Sequence, residues 1–405
     1  MNKLIVLAMG AVLTGCAPNS DKLSMPGKYG YDLEFFQSCN IESIDLASPD
    51  GNARILIVPA YQGRVMTSTA DGLSGISNGW INHEYIRKGT VAPHMHAVGG
   101  EERFWVGPEG GPYSYYFNTV ENQVFDNWQV PAFIDTDSYE VKQQTPSQVV
   151  FEKRTTAKNA SGNDFDMLIN RTITLLDQAS VKSSYQITIP KGVKYVGYEV
   201  VNSITNMGSE SWTKDKGLPS IWALSMINAG SNSTILVPYR TDVVDPSIPL
   251  FDGSYFGEIP ADRIKAIDGI IYFKADANYR AKMGTSYKRT KPVIGSYEAV
   301  TGRLTLLWFT LPAEEKEYVN GIWGNTNPYV GDVVNTYNDG PVADGTQFGK
   351  FYELETSSPA AALQPNESIT HAVRLSHFYG TEAQLNPIVE AVFGIHISDI
   401  NQAFK

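Results

Sequence analysis

The sequence predicts an all-β sandwich, on three observations. Short segments that alternate apolar and polar residues recur at turn-like spacing, the pattern of antiparallel strands burying one face. The composition, with 35 Gly, 22 Pro and 22 Tyr in 405 residues, suits many short strands joined by tight turns. Helical spacing is found at the C-terminus, where Leu385, Ile388, Val389, Val392 and Phe393 make one short amphipathic helix that packs on the body. No internal repeat or low-complexity linker divides the chain, so residues 29–405 are expected to form one domain.

The N-terminus reads as a signal rather than as structure. Lys3 supplies a positive region and residues 4–12 a short apolar run, too short to span a bilayer. Leu13-Thr14-Gly15-Cys16 then resembles the lipobox of bacterial lipoproteins. That resemblance implies that Cys16 is acylated as the first residue of the mature chain, leaving a cell-envelope protein anchored to a bacterial membrane. The outer membrane is expected, and the periplasmic or surface face is left open. Cys39 is then the one remaining thiol, so no internal disulfide forms and the fold stands on its core. Residues 17–28, polar with Pro18 and Pro26, read as a tether. Strands are expected over 53–58, 63–68, 148–154, 166–176, 183–189, 196–202, 234–237, 270–274 and 303–311.

Chemistry concentrates in three stretches. In the first, Gly349 to Phe378, period two puts Phe351, Glu353 and Glu355 on one strand face and Tyr352, Leu354 and Thr356 on the other. The Cα atoms of the two acids are then roughly 6.6 Å apart. Lining a cleft, the pair would repel and lose solvation, raising one pKa into the range of a proton carrier. On a solvated face they are surface charges.

The second stretch runs from His83 to Tyr116. Its glycines at 99, 100, 107, 110 and 111 imply loops where backbone approaches something closely, and Trp105, Tyr113 and Tyr116 are placed to stack on a sugar face. No Gly-Lys-Ser/Thr follows, so this is not a phosphate loop. His94 and His96 share a side at period two, but no third ligand stands at metal-binding spacing, and neither a metal nor a cofactor is expected. Arg103 can bind sugar hydroxyls through its planar fork or pair with adjacent acids.

The third stretch, Trp323 to Pro341, interleaves Trp323, Tyr329 and Tyr337 with Asn325, Asn327, Asn335, Asn338 and Asp339. Such residues make turns. They also make carbohydrate sites, with rings for the C–H face and amides or carboxylates for the hydroxyls.

The first stretch resembles the C-terminal signature of the aldose 1-epimerases (galactose mutarotases): Leu354-Glu355-Thr356, a turn with Pro359, then Leu363, Pro365 and Glu367, and a last strand bearing His371. The resemblance implies a β-supersandwich in which Glu355 is the base that takes the anomeric hydroxyl proton. It makes His96 the counterpart of the family's His-Gly-Gly imidazole. The family's central general-acid histidine has no equivalent, because residues 202–228 contain no His; Trp222 and Ser225 lie where it is sought, and Trp222 reads as a core residue or a sugar platform. Glu353, His96 and Asp339 are left as second proton carriers.

The net charge of −11, without any Lys/Arg cluster, excludes nucleic acid and points to neutral or weakly charged ligands. The expected function is acid/base chemistry at the anomeric centre of a saccharide, epimerase-like or glycosidase-like, with Arg103, Trp105, Trp222, Trp323, Asn335, Asn338 and Asp339 binding the sugar. A glycan-binding lipoprotein without catalysis is the alternative, as is a structural envelope protein.

Overall fold

The computed structural model describes residues 25–405. Residues 1–24, with the expected signal peptide, Cys16 and most of the tether, lie outside the described residues.

Strands numbered in chain order form three antiparallel sheets. The largest has ten strands, in the order β11 (Ile264–Ile267), β12 (Ile270–Lys274), β10 (Ser233–Pro238), β14 (Val293–Glu298), β15 (Arg303–Phe309), β18 (Ser368–Tyr379), β8 (Lys194–Asn206), β7 (Asp164–Leu175), β6 (Gln148–Lys158) and β5 (Glu140–Gln144). The second has five: β13 (Ala281–Thr285), β16 (Val334–Asn338), β17 (Phe351–Ser357), β9 (Ser220–Asn228) and β4 (Arg103–Gly107). A third, β1 (Ile44–Ala47), β2 (Arg54–Val58) and β3 (Arg64–Thr69), meets the second through a bridge between Val65 and Glu102. The chain is mostly β, as expected.

The principal core lies between the ten- and five-stranded sheets, where Phe104, Val106, Ile221, Leu354 and Tyr352 meet Phe151, Ile173, Val200, Leu307 and Leu375. The face of β17 carrying Tyr352 and Thr356 also bonds across this interface. Tyr352 Oη lies 2.6 Å from Ser296 Oγ, and Thr356 Oγ1 lies 2.8 Å from His371 Nε2. His371 therefore joins the sheets and does not face a cleft. Its imidazole is fully buried, and burial pushes it down to about 3.

Helices occupy the outer faces. Helix α1 (Tyr29–Ser38) covers the three-stranded sheet with Tyr29, Phe35 and Phe36. Two short helices, α2 (His83–Lys88) and α3 (Ala132–Asp135), lie in connections. The segment expected as a strand over 183–189 instead begins inside a helix, α4 (Gln178–Tyr185). Asp177 caps it by accepting from the Ser180 amide, and Val181 and Tyr185, four apart, are its buried residues. The cap and the period of four override the local alternation that suggested a strand. The expected C-terminal helix is α5 (Glu382–Phe393), started by a capping box of Thr381 and Gln384, and a further helix, α6 (Ile397–Gln402), follows it. Both pack Leu385, Ile388, Val389, Ile397 and Ile400 with Leu236, Leu304 and Phe378 of the ten-stranded sheet.

Candidate functional site

The face of the five-stranded sheet turned away from the core carries the chemistry. Register fixes it in rows. One row reads Lys282, Tyr337, Glu353 and Met226; the next Gly284, Asn335, Glu355, Leu224 and Arg103; the third Ser357, Trp222 and Trp105. Period two on β17 thus puts Glu353 and Glu355 on this one face.

A cavity of about 130 Å³ opens over these rows. That is smaller than the roughly 300–1,000 Å³ of drug-sized ligand sites, so it suits a single small ring. The rings of Trp80, Trp105, Trp128, Trp222, Tyr337 and Phe351 line it, with the side chains of Arg103, Glu109, Arg280, Lys282 and Glu353. Phe256 and Phe348, 49% and 48% exposed, form its lip.

Two ion pairs order the floor. Arg103 donates to Glu353 Oε1 at 2.7 Å, with the guanidinium over the Trp105 ring, 4.4 Å from its centroid. Lys282 donates to Glu355 Oε2 at 2.8 Å, and the Trp222 indole N–H donates to the same oxygen at 3.0 Å. The Lys282 ammonium lies 4.9 Å from the Trp222 ring centroid. Burial alone would lower Lys282, but the carboxylates of Glu355 and Glu109 outweigh it and hold the ammonium above its ordinary range. Burial pushes Glu353 up to about 7, opposed by Arg103 and assisted by repulsion from Glu355. Desolvation likewise raises Glu109, with Lys282 opposing and Glu355 assisting.

The side chains singled out from the sequence divide accordingly. Glu353, Arg103, Trp105 and Trp222 reach the cavity wall. Glu355 does not: its side chain is fully buried behind Lys282 and Trp222, and its Oε1 has no protein partner. Asn335 lines a smaller chamber behind Lys282, where its amide donates to Tyr255 Oη at 2.9 Å and Tyr255 donates to Asp332 at 2.6 Å. Burial pushes that Asp332 carboxyl up to about 7.

Four residues sit elsewhere. Met95 and Ala97 face the cavity, so His96 between them points away, into Tyr61 and Tyr85 at ring distances of 5.4 and 5.5 Å. Burial lowers its pKa, and the nearby Arg64 charge lowers it further. His94 bonds the Trp128 carbonyl through Nδ1 at 2.6 Å. Asn338 points to the opposite face of β16 from Tyr337, accepting from the Ala277 amide and donating to the Tyr279 carbonyl, both at 2.9 Å. Asp339 is a support: it accepts from Tyr337 Oη at 2.7 Å and from the Gly349 amide at 2.9 Å.

Trp323 stacks on Trp128 at 6.2 Å and backs the cavity wall. The two loop stretches read from the sequence meet here. A Cβ on Gly110 would lie 2.5 Å from the Ile322 carbonyl oxygen, so the close approach those glycines allow is to the Trp323 loop.

Sequence reasoning missed Glu109, Arg280, Lys282, Trp80 and Trp128. Glu109 stood inside the glycine-rich stretch and carried that much signal. Lys282 carried none, because a lone Lys on a short strand reads as a solvated face until register sets it beside Glu355.

Among solved structures, the Slr1438 protein of Synechocystis sp. PCC 6803 matches at a TM-score of 0.51 and 13% identity, over 83% of this chain and 96% of that one. An Escherichia coli K12 protein provisionally named an aldose 1-epimerase matches at 0.49 and 11%, over 84% and 100%. A galactose mutarotase-like protein of Lactobacillus casei ATCC 334 matches at 0.48 and 10%, over 83% and 100%. The architecture is an antiparallel β-sandwich that shares its fold with the Slr1438 protein. At these identities the likeness is one of fold. No curated protein matches the sequence. A family model covers residues 27–404, nearly all of the described chain, and by that match the protein belongs to a family of unknown function (DUF6786).

Proposed function

We propose that the cavity holds one ring of a saccharide and carries out acid/base chemistry at its anomeric carbon, of the epimerase or glycosidase type. One observation carries the reading: Glu353, with a pKa of about 7, stands among aromatic faces in a cavity sized for a single ring. Rings take the C–H face of a sugar, and charged groups take its hydroxyls. A carboxyl that titrates near neutrality both accepts and returns a proton there. Glu353 is the base in this reading. In the epimerase form it takes the anomeric hydroxyl proton as the C1–ring oxygen bond breaks, and Glu109, raised by burial, gives a proton to that ring oxygen. In the glycosidase form it takes a proton from the water that attacks C1, while Glu109 gives one to the departing glycosidic oxygen. Glu355 acts through Lys282, whose charge it balances.

A second reading is binding without turnover. It is favoured by the closed ion pairs of Arg103 with Glu353 and of Lys282 with Glu355, which already satisfy the charges a mechanism would use. Under either reading the protein is a cell-envelope lipoprotein held by lipid at Cys16, with a saccharide as its partner.

The test is a panel of mono- and oligosaccharides at millimolar concentration, read by melting temperature and by product formation. A ligand that binds only the folded state raises the melting temperature. A shift with turnover supports the enzyme, a shift without turnover the binder, and no shift across the panel removes both.

A further inference from the structure

The cavity holds three cations, and two are neutralised in place. Arg103 is paired with Glu353, and Lys282 with Glu355. The third, Arg280, forms no ion pair among the described residues. It stands one residue before β13, two before Lys282, and lines the cavity with its guanidinium 4.2 Å from the centroid of the Phe256 ring. Its Nε is buried without a hydrogen-bond partner. Asp339, just after β16, makes no ion pair with it: its two oxygens accept from Tyr337 Oη and from the Gly349 amide. An aromatic face holds a guanidinium in one orientation without cancelling its charge, and a planar fork so held matches an oxyanion with two parallel hydrogen bonds.

We propose that Arg280 is a specificity determinant for acidic sugars, binding a carboxylate or sulfate substituent on the saccharide at the mouth of the cavity. This rests on the sugar-binding reading above and names its substrate class. It revises the expectation of a neutral ligand drawn from net charge. A chain of charge −11 repels anions at long range, but at contact Arg280, which has no ion-pair partner among the described residues, decides.

The test uses calorimetry on the whole protein with three probes in both gluco and galacto series: the neutral hexose, its uronic acid and its 6-sulfate. The acidic sugars are expected to bind more tightly than the hexose by roughly 10- to 150-fold, the range for hydrogen bonds to a charged group. Comparison of uronate with sulfate tells which oxyanion is preferred. Arg280→Gln should erase the advantage of the acidic sugars over the hexose, so that all three bind alike, and added salt should narrow the gap in the native protein alone. Should Arg280→Gln lower the melting temperature of the free protein, Arg280→Lys replaces it: the point charge keeps part of the advantage and loses the bidentate part. Binding of hexose with no preference for the acidic forms, or an equal loss for all three sugars in Arg280→Gln, overturns the inference and leaves sugar binding standing. Binding of none of the probes overturns both.

Discussion

Glu353 and Glu355 share one strand face but not one environment. Glu353 lines the cavity beside Arg103, whereas Glu355 is sealed under Lys282 and Trp222. Removing one partner of a buried pair leaves the other charge uncompensated, at a cost of about 3–5 kcal/mol. Glu355→Gln should therefore lower stability by that order, and adding Lys282→Met should recover most of it. A denaturation series on the three proteins checks this; equal stability of native and single variant would put the Lys282 charge in water.

His371 makes a prediction for pH. Its folded pKa, about 3, is below the unfolded value near 6.5, so its contribution is fully present above pH 6.5 and is lost as pH falls toward 3. Asp332, raised to about 7, acts in the opposite sense: its contribution is full below the ordinary carboxylate range and fades as pH rises through 7. The clean measurement is thus the difference between native protein and His371→Gln. Between pH 6 and 4 the native protein should lose about 1.4 kcal/mol per pH unit more than the variant. Parallel curves would mean that His371 already titrates normally when folded.

At the scale of elements, β17 is the strand around which the site is built. One face carries Tyr352 and Thr356 into the sandwich core, and the other presents Phe351 and Glu353 to the cavity. That division was legible because period two is a property of the strand itself. The cross-strand rows were not, since Lys282 and Arg103 reach the acids through pairings between segments far apart in sequence. The misread helix α4 failed for the reverse reason: its N-cap and a buried pair four apart outweighed a local alternation. His96 was misplaced because a loop, unlike a strand, does not fix the side on which an imidazole falls.

Two substitutions test packing at this scale. A Cβ on Gly349 would lie 2.3 Å from the Trp80 ring, so Gly349→Ala should push that indole out of the cavity wall. Sugar affinity should fall while the fold persists, and unchanged affinity would remove Trp80 from the site. On α5, Leu385 is fully buried against the ten-stranded sheet, and Leu385→Ala should cost about 2–5 kcal/mol with binding untouched. A loss under 1 kcal/mol would mean that the C-terminal helices only rest on the sheet.

For the whole molecule, the sandwich brings stretches near residues 95–109, 222, 280–282, 337 and 351–353 to one concavity, and the Trp323 loop braces it from behind through Trp128. The all-β class was legible from alternation and turn residues. The convergence was not, because it depends on which strands become neighbours. Anchoring at Cys16 is tested separately. Cys16→Ser should move the protein from the membrane fraction to the soluble one, and a variant that still sediments with membranes would contradict lipid attachment.

The most direct measurement compares Glu353→Gln with the native protein on one sugar that both bind. Gln keeps the shape and part of the hydrogen bonding but cannot accept the proton. Sugar interconversion or hydrolysis should fall by about 10²- to 10⁴-fold, while calorimetric affinity shifts far less. Full turnover in the Gln variant would contradict the assignment of Glu353 as the proton carrier.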